Sequence, residues 1–376
     1  NASTIIENVY SNKLYREHLI RRNNIQTIML GFSDGTKDGG YLTANWSILK
    51  AKESLTKVSR KYGIKVLFFD GRGGPPARGG GNTHQFYSSL GDFIESDEIQ
   101  LTVQGQTISS NFGTIKSSQY NMEQLISSGI KNRILSNSEV FNKKNRKTIE
   151  KLSSISYNSY KDFKSHPSFI PYLEKMSTIK YYSKTNIGSR PSKRGVKGEA
   201  FNFDKLRAIP FVGSWNQLKQ NVPGFYGLGT SINYFYKNNK IKDVKLLYEE
   251  VPFFRALVSN SMMSLTKSFF ELTSYMSEDE EFGEFWKIIH DEYILTKKML
   301  LKISNFKELM ENEPANKLSI QTRENVVMPL ITIQQYALQI VKEIESGDLD
   351  DKKISVFEKI ITRSLYGNIN ASRNSA

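Results

Sequence analysis

Cysteine is absent from the 376 residues, which excludes disulfides and thiol chemistry and fits a cytoplasmic chain. No apolar run approaches the length of a membrane helix, and the longest, such as Val66 to Phe69, are strand-sized. The start lacks the basic, apolar and small-residue order of a secretory signal. Histidine is scarce: His18, His84, His166 and His290 stand far apart, so no histidine cluster argues for zinc. A GxSxG elbow is missing, which removes one hydrolase route. There is no repeat array, no heptad seam and no low-complexity segment. The chain also begins at Asn1 rather than methionine, and NASTIIENVYSNKLYREH already reads as ordered helix. The expectation is a cut through a longer protein, either a fragment or a processed product.

What is present is enough for a sizeable core. Hydrophobic residues make up 38% and charged residues 24%, the balance of a folded, soluble chain rather than a disordered one. The net charge is +14. Nucleic-acid binding is one reading of that excess. The basic residues are scattered, however, with only short runs at Lys143–Lys147 and Ser192–Lys197, which favours solvated faces. A basic chain also suits a small polyanionic substrate.

Residues 26–32 (QTIMLGF) read as a buried strand. A polar turn, SDGTKDGG, is expected next. A helix of about twenty residues follows, with Ile48, Ala51, Leu55, Val58 and Tyr62 on its apolar stripe and Gly63 ending it. Residues 64–69 (IKVLFF) read as a second buried strand. Strand, helix, strand at this spacing predicts a βαβ unit with parallel strands and a right-handed crossover. A glycine-rich loop at 70–81 leads to a short helix from Thr83. A hairpin is expected over 98–114, helix over about 117–160, a loop over 186–198 and a strand-like centre in LRAIPFVGSW (206–215). Beyond about 250 the spacing is helical throughout, with Met262, Met263, Phe269 and Phe270 read as core. This predicts an α/β architecture, mostly helical: residues 1–250 carry parallel α/β structure and residues 251–376 a helical body.

In parallel α/β folds chemistry gathers in loops beyond the carboxyl ends of strands. Two loops stand out. In Ser33–Gly40, Asp34 and Asp38 with Lys37 suit a hard divalent cation such as Mg²⁺ or Mn²⁺, or else serve as turn and N-cap residues. In Asp70–Gly81, six glycines in twelve residues permit close approach to a ligand. Arg72 and Arg78 there are suited to grip phosphate or carboxylate. The lysine and hydroxyl of a Walker loop are missing, and the dinucleotide fingerprint does not match. An RGG-type RNA contact is the other reading, but strand and helix flank the loop. His84 alone reads as structural. Arg190 and Arg207, at loop and strand junctions, are candidates for the same anion site. From the residues themselves the reading ends at a metal-assisted enzyme acting on a phosphorylated, carboxylated small molecule.

The same stretches resemble phosphoenolpyruvate carboxylase of the bacterial type, in its C-terminal half. IMLGFSDGTKDGG (28–40) is similar to the signature around the family's metal-binding aspartate, with Phe32 in place of tyrosine and Gly35 in place of serine. GRGGPPARGGGNTH (71–84) resembles its mobile glycine loop. TVQGQTISSNFG (102–113), IGSRPSKR (187–194), LRAIPFVGSWNQLKQNVPGFYGLGT (206–230) and the tail SRNSA (372–376) follow in the family's order.

The resemblance implies a partial TIM-type (β/α)8 barrel embedded in many helices, with strands before residue 70 and near 101 and 209, commonly in a cytoplasmic homotetramer. It implies that phosphoenolpyruvate and bicarbonate give oxaloacetate and phosphate, with a divalent metal as Lewis acid. It makes Asp34 a metal ligand. Arg72 and Arg207 bind phosphate, with Gly73 and Gly74 beside the substrate, and Arg190 and Arg78 serve the same centre. The aspartate or malate inhibitor site falls on Arg78, Lys267, Arg323 and Asn374.

Asp70, at a catalytic position, stands where most members have histidine, and a carboxylate there repels anions unless it is paired. The loop between Arg194 and Leu206 is longer than usual. The family's essential histidine, a second metal-binding acid and another arginine belong to an N-terminal half, so this chain alone is expected to be inactive. A non-catalytic degenerate relative, and a nucleic-acid-binding protein using the RGG-like loop, are the alternatives. Neither a membrane nor a nucleic acid is an expected partner.

Overall fold

The computed structural model describes residues 1–103, 105–134, 141–182, 184–185, 202–347 and 351–372. Among them, three strands form one parallel sheet: β1 (Ile25–Gly31), β2 (Lys65–Gly71) and β3 (Ile99–Leu101), in the order β1-β2-β3. Ile25 pairs with Lys65 and Gly31 with Gly71, so the first two strands run in register over their full length. The predicted βαβ unit is therefore present, with helix Tyr41–Lys61 as its connection.

The helix lies where its periodicity puts it, but on a different face. Leu49, Lys52, Thr56 and Ser59 are buried, whereas Ile48, Ala51, Val58 and Tyr62 are half-buried; Leu55 is buried as expected. The stripe steps by three and four, so its geometry is helical. Its polar members each have a partner: Lys52 meets Asp70 at the end of β2, Thr56 accepts from Glu95 N, and Ser59 meets the Tyr10 hydroxyl. Gly63, at φ +64°, closes the helix as predicted.

Three local expectations are corrected. Residues 33–39 are not a turn but form, with Phe32, the helix Phe32–Gly39, closed by Gly40 at φ +80°. Phe32 and Thr36, four apart, bury one face of it, and that burial outweighs the turn-forming composition. Residues 98–114 are not a hairpin. β3 pairs parallel with β2, and the chain turns at Gly105 (φ +50°) into helix Gln106–Phe112. Residues 206–215 are not a strand, so the barrel strand expected near 209 is also absent. Helix Ala208–Gln217 begins there, with Pro210 in its first turn, where proline is tolerated. Phe211, Val212, Trp215 and Pro210 are all buried, so the helix shows an apolar run instead of a stripe.

β1 also differs from its reading as a buried strand, since Met29 is 63% exposed and the other residues are at most half-buried. Helix over 117–160 resolves into Ile115–Ile134 and Lys143–Lys164. The region beyond 250 is helical as predicted, ending in the long helices Gly283–Ser304, Pro314–Ser346 and Asp351–Ser372. Met262 and Phe270 are core, Met263 is half-buried and Phe269 is exposed.

The main core joins the helices around the sheet to those beyond 250. Its centre is aromatic: Phe163 stacks on Tyr226 at 4.1 Å and on Phe285 at 5.2 Å, with Trp215 and Tyr172 close by. No helix among the described residues is long and apolar enough to cross a membrane.

Candidate anion site

β2 delivers Asp70 to the carboxyl end of the sheet, and the glycine loop starts immediately beyond it. The loop is folded on itself. Gly73 N donates to Arg78 O at 2.7 Å, and Arg78 N and Gly80 N donate to Pro75 O, each at 2.9 Å. A Cβ on Gly80 would lie 1.8 Å from Gly74 O, and one on Gly79 (φ +83°) would meet the Phe32 ring. Glycine at these two positions is therefore a steric requirement of the closed loop. Pro76–Arg78 make a short 3-10 turn, and Asn82 caps helix Thr83–Ser88 by accepting from Gln85 N.

Arg72 and Arg78 are both buried. Arg72 Nε donates to Gly79 O, and the guanidinium sits 4.5 Å from the Phe86 ring centre and 5.3 Å from that of Tyr87. Its Nη1 has no hydrogen-bond partner. A buried guanidinium nitrogen without an acceptor is costly unless an anion completes it. Arg78 Nε donates to Ser33 Oγ at 3.3 Å. Burial lowers its pKa to about 10, opposed by the neighbouring Tyr182 and Asp34, so it stays a cation at neutral pH. Both arginines are thus folded inward.

Asp70 was expected to repel anions unless paired, and it is paired. One carboxylate oxygen, Oδ2, accepts from Lys52 Nζ and from Tyr87 Oη, each at 2.6 Å, and Lys52 and Asp70 are each 1% exposed at the side chain. Burial pulls the Lys52 pKa down and pushes the Tyr87 hydroxyl up. Neither Lys52 nor Tyr87 is legible as a site residue in the sequence. The one signal for Lys52 is its place on the 49–52–56–59 stripe.

An open cavity of about 490 Å³ lies in front of the loop, lined by Arg72, Gly73, Gly74, Lys267 and Arg323 among others. His84 lines it too, with Nδ1 donating to Gln124 O at 2.9 Å, so its ring is oriented by helix Ile115–Ile134. Lys267 also lines a smaller cavity, with Pro75, Pro76, Lys219 and Glu324. Burial brings the Lys267 pKa to about 8, helped by the charges of Arg323 and Lys219. Lys219 itself pairs with Glu324 at 2.5 Å.

The structure thus brings together Arg72, Gly73, Gly74, Lys267 and Arg323 around one cavity, with Arg78 and Asp70 in the loop and strand behind it. Arg207 caps helix Ala208–Gln217, half-buried, and its Nε lacks a hydrogen-bond partner. Arg190 and Asn374 lie outside the described residues.

Asp34 is exposed in the first turn of helix Phe32–Gly39, near Arg78. Lys37 turns away from it to Asp38 (2.8 Å) and the Phe203 ring (4.5 Å), and Gly40, not either aspartate, is the N-cap of helix Tyr41–Lys61. Mg²⁺ or Mn²⁺ needs several oxygen donors. Among the described residues no group of three acidic or histidine side chains converges, so Asp34 offers a single ligand and not a complete site.

The buried cationic loop thus lies at the carboxyl end of a parallel strand and faces a basic cavity. A model of the phosphoenolpyruvate carboxylase family matches residues 1–371, and the chain belongs to that family.

Proposed function

We propose that this chain carries the phosphate- and carboxylate-binding part of a phosphoenolpyruvate carboxylase, which forms oxaloacetate and phosphate from phosphoenolpyruvate and bicarbonate. The buried, unpartnered Nη1 of Arg72 beside the open basic cavity is the observation that carries the reading. In the reaction bicarbonate attacks the phosphate of phosphoenolpyruvate, giving carboxyphosphate and an enolate. Carbon dioxide released from carboxyphosphate is then captured by the enolate. Arg72 and Arg207 bind the phosphoryl group, and Arg78 and Arg190 add charge to the same centre. Fixed cations of this kind stabilise developing anionic charge and hold two reactants in place.

In this reading residues 1–250 belong to a TIM-type barrel that the three parallel strands begin, and residues 251–376 form the helical region. Asp34 is one ligand of Mg²⁺ or Mn²⁺. Lys267 and Arg323, with Arg78 and Asn374, receive aspartate or malate as inhibitors. The assembled enzyme is a cytoplasmic homotetramer, and an N-terminal complement supplies the remaining catalytic groups.

The test is oxaloacetate formation, followed by coupled reduction with malate dehydrogenase, on the native polypeptide that contains these residues. Turnover that requires phosphoenolpyruvate, bicarbonate and Mg²⁺ or Mn²⁺, and that Arg72→Met removes, is the expected result. A folded native protein with no turnover would make the chain a non-catalytic relative.

A further inference from the structure

We infer that Lys52 is a positioning residue of the anion site: it occupies the Asp70 carboxylate and so keeps the Arg72 guanidinium available to an anionic ligand. This rests on the reading of Arg72 as an anion ligand. Asp70 is wholly buried and only two residues from Arg72, whose amide donates to Asp70 O at 2.8 Å. An arginine and a carboxylate this close in a dry site form the strongest of protein ion pairs when both are free to do so. Asp70 Oδ1 and Arg72 Nη1 are both buried without hydrogen-bond partners, so pairing between them would satisfy each. They remain apart because Oδ2 is held at 2.6 Å by Lys52 from one side and by the Tyr87 hydroxyl from another.

Tyr87 stands between the two groups, with its ring 5.3 Å from the Arg72 guanidinium carbon. Lys52 is fixed in the middle of helix Tyr41–Lys61, and its ammonium lies 5.1 Å from the Phe68 ring centre. Two cations, Lys52 and Arg72, then share one carboxylate. The local excess is one positive charge, and Arg72 is the member that lines the open cavity. Without Lys52 the carboxylate would be uncompensated, and Arg72 is the cation next to it. The site would become neutral and lose its grip on phosphate.

The experiment is a double-mutant cycle on the chain with inorganic phosphate as the probe, read by calorimetry. Lys52→Met is expected to weaken phosphate binding by about tenfold or more, and Lys52→Met with Asp70→Asn to recover it to within about threefold. Lys52→Gln, which leaves Asp70 charged but hydrogen-bonded, should weaken binding in the same direction and serves if the methionine variant does not fold. A crystal structure of the Lys52 variant should show the Arg72 guanidinium turned onto the Asp70 carboxylate. An unmoved Arg72, or a folded double variant as weak as the single one, overturns the role of Lys52. Absence of phosphate binding by the unaltered chain overturns the anion-site reading instead, and the position of Arg72 in the variant structure still decides the inference.

Discussion

Two of the buried polar networks among the described residues are built differently. In the aromatic centre, Tyr172, Gln220, Thr273 and Trp286 close on one another: Gln220 Nε2 donates to Tyr172 Oη at 2.8 Å and to Thr273 Oγ1 at 3.1 Å, and Trp286 Nε1 donates to Thr273 Oγ1 at 3.1 Å. Every member is neutral. At the carboxyl end of β2 the network is charged, and Asp70 Oδ1 and Arg72 Nη1 are left without partners. Satisfied neutral networks hold a core in one arrangement. A buried charged network with unmet donors lowers stability unless something else completes it. The difference is one of closure: the Tyr172–Gln220–Thr273–Trp286 network is met within itself, although Trp215 Nε1 beside it has no partner, whereas the strand end keeps a cationic donor, Arg72 Nη1, that an anion would satisfy.

Stability breaks this comparison most sharply. Lys52→Met removes one partner of the buried Asp70 carboxylate, which Arg72 then compensates only in part, and should cost at most about 3–5 kcal/mol, seen as a lower midpoint in urea unfolding. Adding Asp70→Asn should recover most of that loss. In the carboxylation assay, Arg72→Met should lower kcat/KM by about 10²–10³-fold, with circular dichroism unchanged. Gly80→Ala forces the added methyl against Gly74 O and should destabilise by about 1–3 kcal/mol, with weakened phosphate binding because the loop cannot close.

A pH series sharpens the contrast further. The Lys267 ammonium loses its proton near pH 8, driven first by burial, so the cavity is most cationic below that value. Phosphate or malate affinity should fall by about threefold as pH rises through about 8, measured by calorimetry at constant ionic strength. The smallest effect is expected at the exposed pair Lys175–Glu281, where Lys175→Ala should change stability by less than about 1 kcal/mol.

How much of this was legible differs from residue to residue. The strands at 25–31 and 65–71, the connecting helix and the glycine loop follow from apolar runs, helical spacing and turn formers. Arg72 and Arg78 stand out because arginine in a glycine-rich loop after a strand is an anion-binding pattern. The helix at Phe32–Gly39 was hidden by a glycine- and aspartate-rich composition that only burial of Phe32 and Thr36 overrides. The helix at Ala208–Gln217 was hidden because burial on all sides erases its period. Lys52 was invisible as a site residue, since a lysine in an amphipathic helix looks like any solvated cation.

The sequence by itself determined the family, the parallel strand–helix–strand unit and the chemical character of the loop, because these depend on residue order and local spacing. The tertiary structure decided which charges meet. Lys52 and Asp70 are eighteen positions apart, and Lys267 and Arg323 are far along the chain from the glycine loop, yet each lies at the same end of the sheet. Side-chain pairing across packed elements sets whether Asp70 repels an anion or is already neutralised. That depends on which helix face turns inward, which the connecting helix's spacing alone left open.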